Sequence, residues 1–275
     1  MKSEDRELVA QLCAARAGIR VDVEKVYLLE SRLGPVARRE GFGSIDDLLQ
    51  ALRARREDRL AWTIVEAMAH AETSFFRDRE PFTLFRDEVL PTLAKRRDGQ
   101  PVRLWSAACA SGQEVYSLAM IIEDERARLP GLKVELFGSD LSERQLEKAQ
   151  SGLYTQFEVQ RGLPIRHLVR YFEQADEMWG ISPRLRQMVR WRRINLVADL
   201  STAGRFDVIF CRYVLSALIE PMRMRLLENL ARALSPEGYL FLGSNETAGS
   251  LGEAFQPLEG RPGIYARNPD FRVAA

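Results

Sequence analysis

Leu104-Trp105-Ser106-Ala107-Ala108-Cys109-Ala110-Ser111-Gly112-Gln113-Glu114-Val115-Tyr116-Ser117-Leu118-Ala119-Met120 is the stretch on which the reading of this chain turns. Val102-Arg103-Leu104-Trp105 reads as a short strand, and Gly112 to about Arg128 as a helix. The residues between them, Ser106 to Gly112, all carry small side chains. Strand, tight turn and helix open a parallel α/β unit, whose ligands sit beyond the carboxyl ends of the strands near the first crossover. Small side chains let a ligand approach the backbone closely, but they also suit a plain strand-to-helix turn, and the stretch alone does not choose. With one glycine, Gly112, it is not the G-x-G-x-x-G cradle of a pyrophosphate.

Outward from there the alternation repeats. Val134-Glu135-Leu136-Phe137 is a strand, and Ser142 to Gln150 a helix with Ser142 as cap and Glu143 in its first turn. Phe206-Asp207-Val208-Ile209-Phe210 is a buried strand and Pro221 to Leu234 an amphipathic helix. Gly238 to Gly243 and Gly263 to Ala266 are further strands. The expected fold is a doubly wound, mostly parallel sheet. Asp140 lies just past the second strand, where a carboxylate can accept hydrogen bonds from both hydroxyls of a ribose. The alternative is a cap on the next helix, a task Ser142 already suits.

The first 70 or so residues read as helices. Leu8, Leu12, Ala15 and Ile19 recur at helical spacing before a stop at Gly18. Val26, Leu29, Leu33 and Val36 follow, then a helix start at Ser44 with Leu48, Leu49 and Leu52 on its buried side. Two basic runs, Arg32, Arg38, Arg39 and Arg53, Arg55, Arg56, Arg59, form either solvated faces or a landing surface for an acidic partner. From Trp179 to Leu196 the rhythm breaks into what reads as a small antiparallel excursion leading back into the sheet.

Composition excludes several classes. With 40 basic and 39 acidic residues the net charge is +1, which argues against bulk nucleic-acid binding. Cys13, Cys109 and Cys211 are scattered, and only His70 and His167 could join them, too few ligands for a zinc site of the usual kind. The uncharged apolar runs, such as Val208 to Cys211, fall far short of the ~20 residues that cross a bilayer. The start, Met1-Lys2-Ser3-Glu4-Asp5-Arg6, has no apolar signal segment, so a cytoplasmic protein without membrane insertion is expected.

Four blocks in order resemble the chemotaxis receptor methyltransferases (CheR type): Glu72 to Asp78; Leu104 to Met120; Gly138-Ser139-Asp140-Leu141-Ser142 with Gly152-Leu153-Tyr154; and Phe206 to Arg212 with Gly238 to Gly243. Arg161-Gly162-Leu163-Pro164, Tyr171-Phe172, Ile194-Asn195-Leu196 and the N-terminal Gly18-Ile19, Lys25 and Arg32-Leu33 also fit, so the resemblance covers nearly the whole chain. It implies an all-α N-terminal domain over 1–71 and a Rossmann-like S-adenosylmethionine-dependent methyltransferase domain over 72–275, with a small antiparallel β-subdomain at about 173–195. It also implies a cytoplasmic monomer that acts on the cytoplasmic methylation helices of chemoreceptors. In some members the β-subdomain also grips a receptor C-terminal peptide.

The implied reaction is esterification of receptor glutamates by S-adenosyl-L-methionine, with S-adenosyl-L-homocysteine as product. By the same resemblance Arg77 is the catalytic residue, orienting the glutamate carboxylate beside the methyl group; the alternative is a surface arginine paired with Asp78 or Glu80. Thr73, Arg77, Ala108, Glu114, Asp140, Asn195, Leu196, Arg212 and Tyr213 are the implied cofactor contacts. Glu114 also fits an ordinary first-turn carboxylate, and Asn195 a turn residue. Three positions depart from the family pattern: Ala71 and Tyr213 stand where asparagines are usual, and Ala217 where a tyrosine is usual. A degenerate member that binds S-adenosyl ligand and signalling partners with little turnover, and a methyltransferase for another substrate, are the competing readings.

Overall fold

A computed structural model describes residues 1–55, 57–69, 71–249, 253–268 and 270–271; Arg56 and His70 lie outside them. The chain forms two compact units, Met1–His70 with Leu215–Arg225, and Ala71–Val214 with Leu226–Ala275. Among the described residues, no helix is long and apolar enough to cross a membrane.

The first unit is built from α1 (Ser3–Ala17), α2 (Val26–Arg39), α3 (Ile45–Arg55) and α4 (Asp58–Met68). Gly18 ends α1 in the left-handed conformation, returning its N–H to the Ala14 carbonyl at 3.0 Å. The buried spine of α1 is Asp5, Val9, Cys13 and Ala17, one residue round from the expected Leu8, Leu12 and Ala15. Leu8 and Leu12 are half-buried on the flank of that spine, and Ile19, beyond the helix, is buried in a β-bridge with Leu218. Several of the basic residues hold the unit together. Arg53 pairs with buried Asp5 at 2.7 Å, Arg59 with Glu40 at 2.7 Å, and Arg32 donates to the Met68 carbonyl at 2.7 Å. Arg38 and Arg39 are exposed at the end of α2.

Among its described residues the second unit contains β1 (Val102–Ala107), β2 (Val134–Asp140), β3 (Leu153–Thr155), β4 (Phe172–Ala175), β5 (Met178–Ile181), β6 (Val189–Arg193), β7 (Phe206–Phe210), β8 (Leu234–Phe241), β9 (Phe255–Pro257) and β10 (Ile264–Arg267). Seven strands form the main sheet in the order β6-β2-β1-β7-β8-β10-β9. The pairs from β6 to β8 are parallel, and β10 is antiparallel to both β8 and β9. The chain leaves β1 toward β2 and β6, then returns to β1's other side as β7. This reversal of strand order opens a crevice beyond the carboxyl ends of β1 and β7.

The remaining α-helices are α5 (Glu80–Leu84), α6 (Leu90–Arg97), α7 (Gln113–Glu125), α8 (Glu143–Ser151), α9 (Gln156–Gln160), α10 (Ile165–Tyr171), α11 (Pro183–Gln187) and α12 (Glu220–Ala233). The apolar face of α7, with Val115, Leu118 and Ala119 fully buried, joins Leu104, Val208 and Phe210 in one core. Ser142 caps α8, accepting the Gln145 N–H.

The antiparallel subdomain differs from the expected span of about 173–195. It is the three-stranded sheet β3-β5-β4, which begins at Leu153 and ends at Ile181. Val189–Arg193 belongs instead to the main sheet, running parallel to β2.

Gly162 in the turn between α9 and α10 has φ +91, and a Cβ there would collide with the Phe75 carbonyl oxygen. Phe75 leads into the Arg77 turn. Gly162→Ala is therefore expected to cost about 2–4 kcal/mol and to lower Tm by about 5–10 °C, read by thermal unfolding.

Candidate active site

The turn after β1 is held tightly from below. The Cys109 N–H donates to the Ser139 carbonyl at 2.8 Å, the Gly112 N–H to the Cys109 carbonyl at 3.0 Å, and the Tyr154 hydroxyl to the Ser111 carbonyl at 2.8 Å. Ala108 (φ +59) and Ala110 (φ +48) take the left-handed conformation, which costs roughly 1–2 kcal/mol each for an L-residue. Such strain persists only where the surroundings over-determine it, and it clusters at functional sites.

Asp140, at the end of β2, fixes this shape. Its Oδ2 accepts the Ala110 N–H and its Oδ1 the Ser142 N–H, both at 2.9 Å. Burial pushes its carboxyl up from the ordinary carboxylate range, against the opposing pull of the Ser142, Ala110 and Leu141 N–H groups. Three N–H groups on two oxygens leave the carboxylate one acceptor position for a ligand. Asp140 thus orders the loop as well as closing β2, and its link to the Ser142 N–H is part of the local turn rather than the α8 cap, which Ser142 provides.

The second wall is the turn carrying Arg77. The Phe75 ring packs edge-on against Tyr154 and Phe172, and Phe76 stacks on His167 at 5.1 Å. The Phe76 N–H donates to Ser117 Oγ of α7 at 3.0 Å. Phe76, Asp78 and Arg79 all have positive φ (+48, +67 and +50). The two phenylalanines anchor the turn and leave Arg77 at the rim. Its Nη1 donates to the Glu72 carbonyl at 2.8 Å, and its guanidinium carbon lies 3.9 Å from the centroid of the Tyr213 ring.

Asp78 does not pair with Arg77. Its carboxylate accepts from the Arg212 guanidinium and from the Tyr213 hydroxyl. Arg212 follows β7, and its side chain is only 2% exposed. It also donates to Glu114 Oε2 at 3.1 Å and to the Arg77 carbonyl at 2.9 Å, while its buried Nε has no hydrogen-bond partner. Glu114 Oε1 accepts the Ser106 hydroxyl at 2.8 Å. Arg212 is the tie between β7, the start of α7 and the Arg77 turn.

Thr73, Arg77, Ala108, Glu114, Arg212 and Tyr213 line one cleft, together with Glu72, Ser74 and Cys109. Its empty space, counting the part open to solvent, is about 300 Å³. Asp140 adjoins it through Ala110. Asn195 and Leu196 do not line it; they lie two residues and more beyond the end of β6, where the Ile194 N–H donates to the Asp140 carbonyl at 3.0 Å. Asn195 Oδ1 accepts the Val197 N–H at 3.3 Å, so it also shapes a turn. Along the sheet the positions run in order: Asn195 after β6, Asp140 at β2, Ala108 after β1, Arg212 after β7. Ala217 lies in a 3-10 turn, Leu215–Ala217, of the first unit, where its carbonyl accepts the Arg20 N–H at 2.8 Å.

Sequence reasoning gives no role to Asp78 as an orienting acid, and none to Glu246. Glu246 Oε2 accepts the N–H groups of Tyr213 (2.6 Å) and Gly243 (2.9 Å), 33 and three residues away, and no local pattern announces that. Cys109 is no nucleophile: burial pushes its thiol well up, and the Asp140 and Glu114 carboxylates add to the effect.

The unpartnered Arg212 N–H, the small-residue turn and the Asp140 carboxylate suit an uncharged ribose joined to a charged amino-acid end, as in S-adenosylmethionine. Comparison with known proteins agrees. Residues 71–264 match the family model described as CheR methyltransferase, SAM binding domain, and residues 4–68 the one described as CheR methyltransferase, all-alpha domain. Chemotaxis protein methyltransferase 1 of Pseudomonas aeruginosa PAO1 is 37% identical over 267 residues, 96% of this chain and 97% of that protein. Chemotaxis protein methyltransferase Cher2 of Pseudomonas putida KT2440 is 36% identical, covering 90% and 91% of the two chains. Chemotaxis protein methyltransferase of Vibrio parahaemolyticus is also 36% identical, covering 91% of each. The chain belongs to the CheR methyltransferase family, with an all-α domain followed by a domain that binds S-adenosylmethionine.

Proposed function

We propose that this chain is a protein-glutamate O-methyltransferase, esterifying glutamate side chains on the cytoplasmic methylation helices of chemoreceptors and acting as a cytoplasmic monomer. The observation that carries this reading is a guanidinium, Arg77, held over the Tyr213 ring at the rim of a cleft floored by the turn after β1. When bound, S-adenosyl-L-methionine supplies a methyl group on a positively charged sulfur, which becomes S-adenosyl-L-homocysteine.

The chain's own residues do the rest. Asp140 accepts from a ribose hydroxyl, and Arg212 and Glu114 receive the amino-acid end. Ala108 and Thr73 line the path between them, and Asn195 and Leu196 border the base. Arg77 presents its planar fork to the incoming carboxylate. No general base is needed, because a glutamate with a reference pKa of ≈ 4.3 is ionised at neutral pH. Opposite charges vanish as the carboxylate attacks, so alignment and exclusion of water are the remaining tasks. A receptor C-terminal peptide would add to β3 or β4, the outer strands of the three-stranded sheet.

The test is transfer of labelled methyl to receptor membranes, with calorimetry of S-adenosyl-L-homocysteine alongside. Alkali-labile incorporation supports the reading; tight binding without incorporation overturns it. Asp140→Asn keeps one acceptor for the loop but loses the charge. It is expected to weaken S-adenosyl-L-homocysteine binding by roughly 10–100-fold, as a charged hydrogen bond is worth about 1.5–3 kcal/mol. Unchanged affinity removes Asp140 from the ribose.

A further inference from the structure

Tyr213 stands where the family usually has asparagine, and its setting is unusual for an aromatic residue. Its φ is +62, in the left-handed region that a bulky side chain rarely occupies. The surroundings hold it there from several sides. Its N–H donates to Glu246 Oε2 at 2.6 Å, and the same oxygen accepts the Gly243 N–H. Its ring rests against Gly243, where a Cβ would come within 2.9 Å of both Cδ1 and Cε1. Its hydroxyl donates to Asp78 and lies 3.3 Å from Ser244 Oγ. The ring is thereby fixed at the amide, at one edge and at the tip, and over its face lies the Arg77 guanidinium, 3.9 Å from the centroid.

We infer that Tyr213 is a positioning residue for Arg77: its ring sets the plane in which the guanidinium meets the substrate carboxylate. The inference rests on the proposed role of Arg77. A stacked guanidinium uses its face against the ring and keeps its in-plane N–H groups available along the edge, the geometry in which a carboxylate is held by two parallel bonds. One N–H, on Nη1, is taken by the Glu72 carbonyl, which adds a second restraint on rotation about the long side chain. Asp78 completes the arrangement. It lies next to Arg77 in sequence yet faces Arg212 and Tyr213, so the acid beside the catalytic arginine orients the ring instead of neutralising the guanidinium.

The test uses the full chain with Tyr213→Ala, Tyr213→Phe and Arg77→Ala, alone and combined. Tyr213→Ala is expected to lower kcat for receptor methylation by roughly 10–100-fold, the scale of a misplacement of about 1 Å. Its dissociation constant for S-adenosyl-L-homocysteine should stay within about threefold. Tyr213→Phe keeps the stack and is expected to recover kcat to within about fivefold of the wild type. Equal losses for the two variants, or a loss confined to cofactor affinity, overturn the inference. Thermal unfolding gives a readout independent of turnover. The Tm shifts of Arg77→Ala and Tyr213→Ala are expected to be clearly smaller in combination than their sum, and additivity overturns the contact. A wild-type chain without methyl transfer rejects the proposed function, while this cycle still decides whether the ring holds Arg77.

Discussion

Arg77→Ala is expected to reduce kcat/KM for receptor methylation by roughly 100–1,000-fold while shifting S-adenosyl-L-homocysteine affinity by less than about threefold. The magnitude follows from the usual loss of about 2.7–4 kcal/mol when one preorganised charged or polar donor is removed from a reacting centre. The direction follows from where the guanidinium sits. It is at the rim of the cleft, stacked on Tyr213, with one N–H on the Glu72 carbonyl and none committed to Asp78. The turn that carries it is fixed independently of its side chain, by Phe75 against Tyr154 and Phe172 and by the Phe76 N–H on Ser117. Truncation should therefore leave the cleft standing. Arg77→Lys separates charge from shape: a point charge without a planar fork should restore only part of the rate. A variant with alanine that turns over within tenfold of the wild type removes Arg77 from the reaction.

The central strands are legible in the sequence because burial on both faces makes nearly continuous apolar runs, as in Phe206–Phe210 with Asp207 as its one charged member, and because small residues and a helix start follow β1 directly. β6 departs from its sequence reading for a physical reason. Val189-Arg190-Trp191-Arg192 alternates because β6 is an edge strand with one face toward water, and alternation reports one-sided burial, not strand direction. Only its register against β2 makes it parallel. β9 is three residues long, too short for any period to appear. In the site, Asp140 is accessible to sequence reasoning because it sits at a strand end, whereas Ala108 and Glu114 enter as site residues only through the family resemblance. The roles of Asp78 and Glu246 depend on contacts across 135 and 33 residues with Tyr213, and hydrogen bonds over such separations leave no trace in local pattern. The substitution at 213 is visible as a departure from the family pattern; that its ring lies under Arg77 is not.

Arg212→Met is expected to give the largest loss of stability among the site variants, about 3 kcal/mol or more, with Tm lower by at least about 6 °C. The side chain is 2% exposed and bridges Asp78, Glu114 and the Arg77 carbonyl, so its removal leaves Glu114, itself only 12% exposed, without its cation. Methionine fills much of the volume, so the loss comes mainly from the unpaired carboxylate and only secondarily from a cavity. That identifies the companion variant. Arg212→Met with Glu114→Gln neutralises the stranded acid and is expected to recover a substantial part of the lost Tm, because breaking one half of a buried pair is worse than removing both charges. Cofactor affinity should not recover in parallel. The Arg212 Nε–H has no protein partner, and a cofactor carboxylate is the acceptor it suits, so S-adenosyl-L-homocysteine binding should stay weak in both variants. Recovery of stability and affinity together would show Arg212 to be a structural tie alone. Recovery of stability without affinity shows that the Arg212–Glu114 pair serves the cofactor as well as the fold, and Glu114→Gln alone measures how much of the lost affinity belongs to the acid.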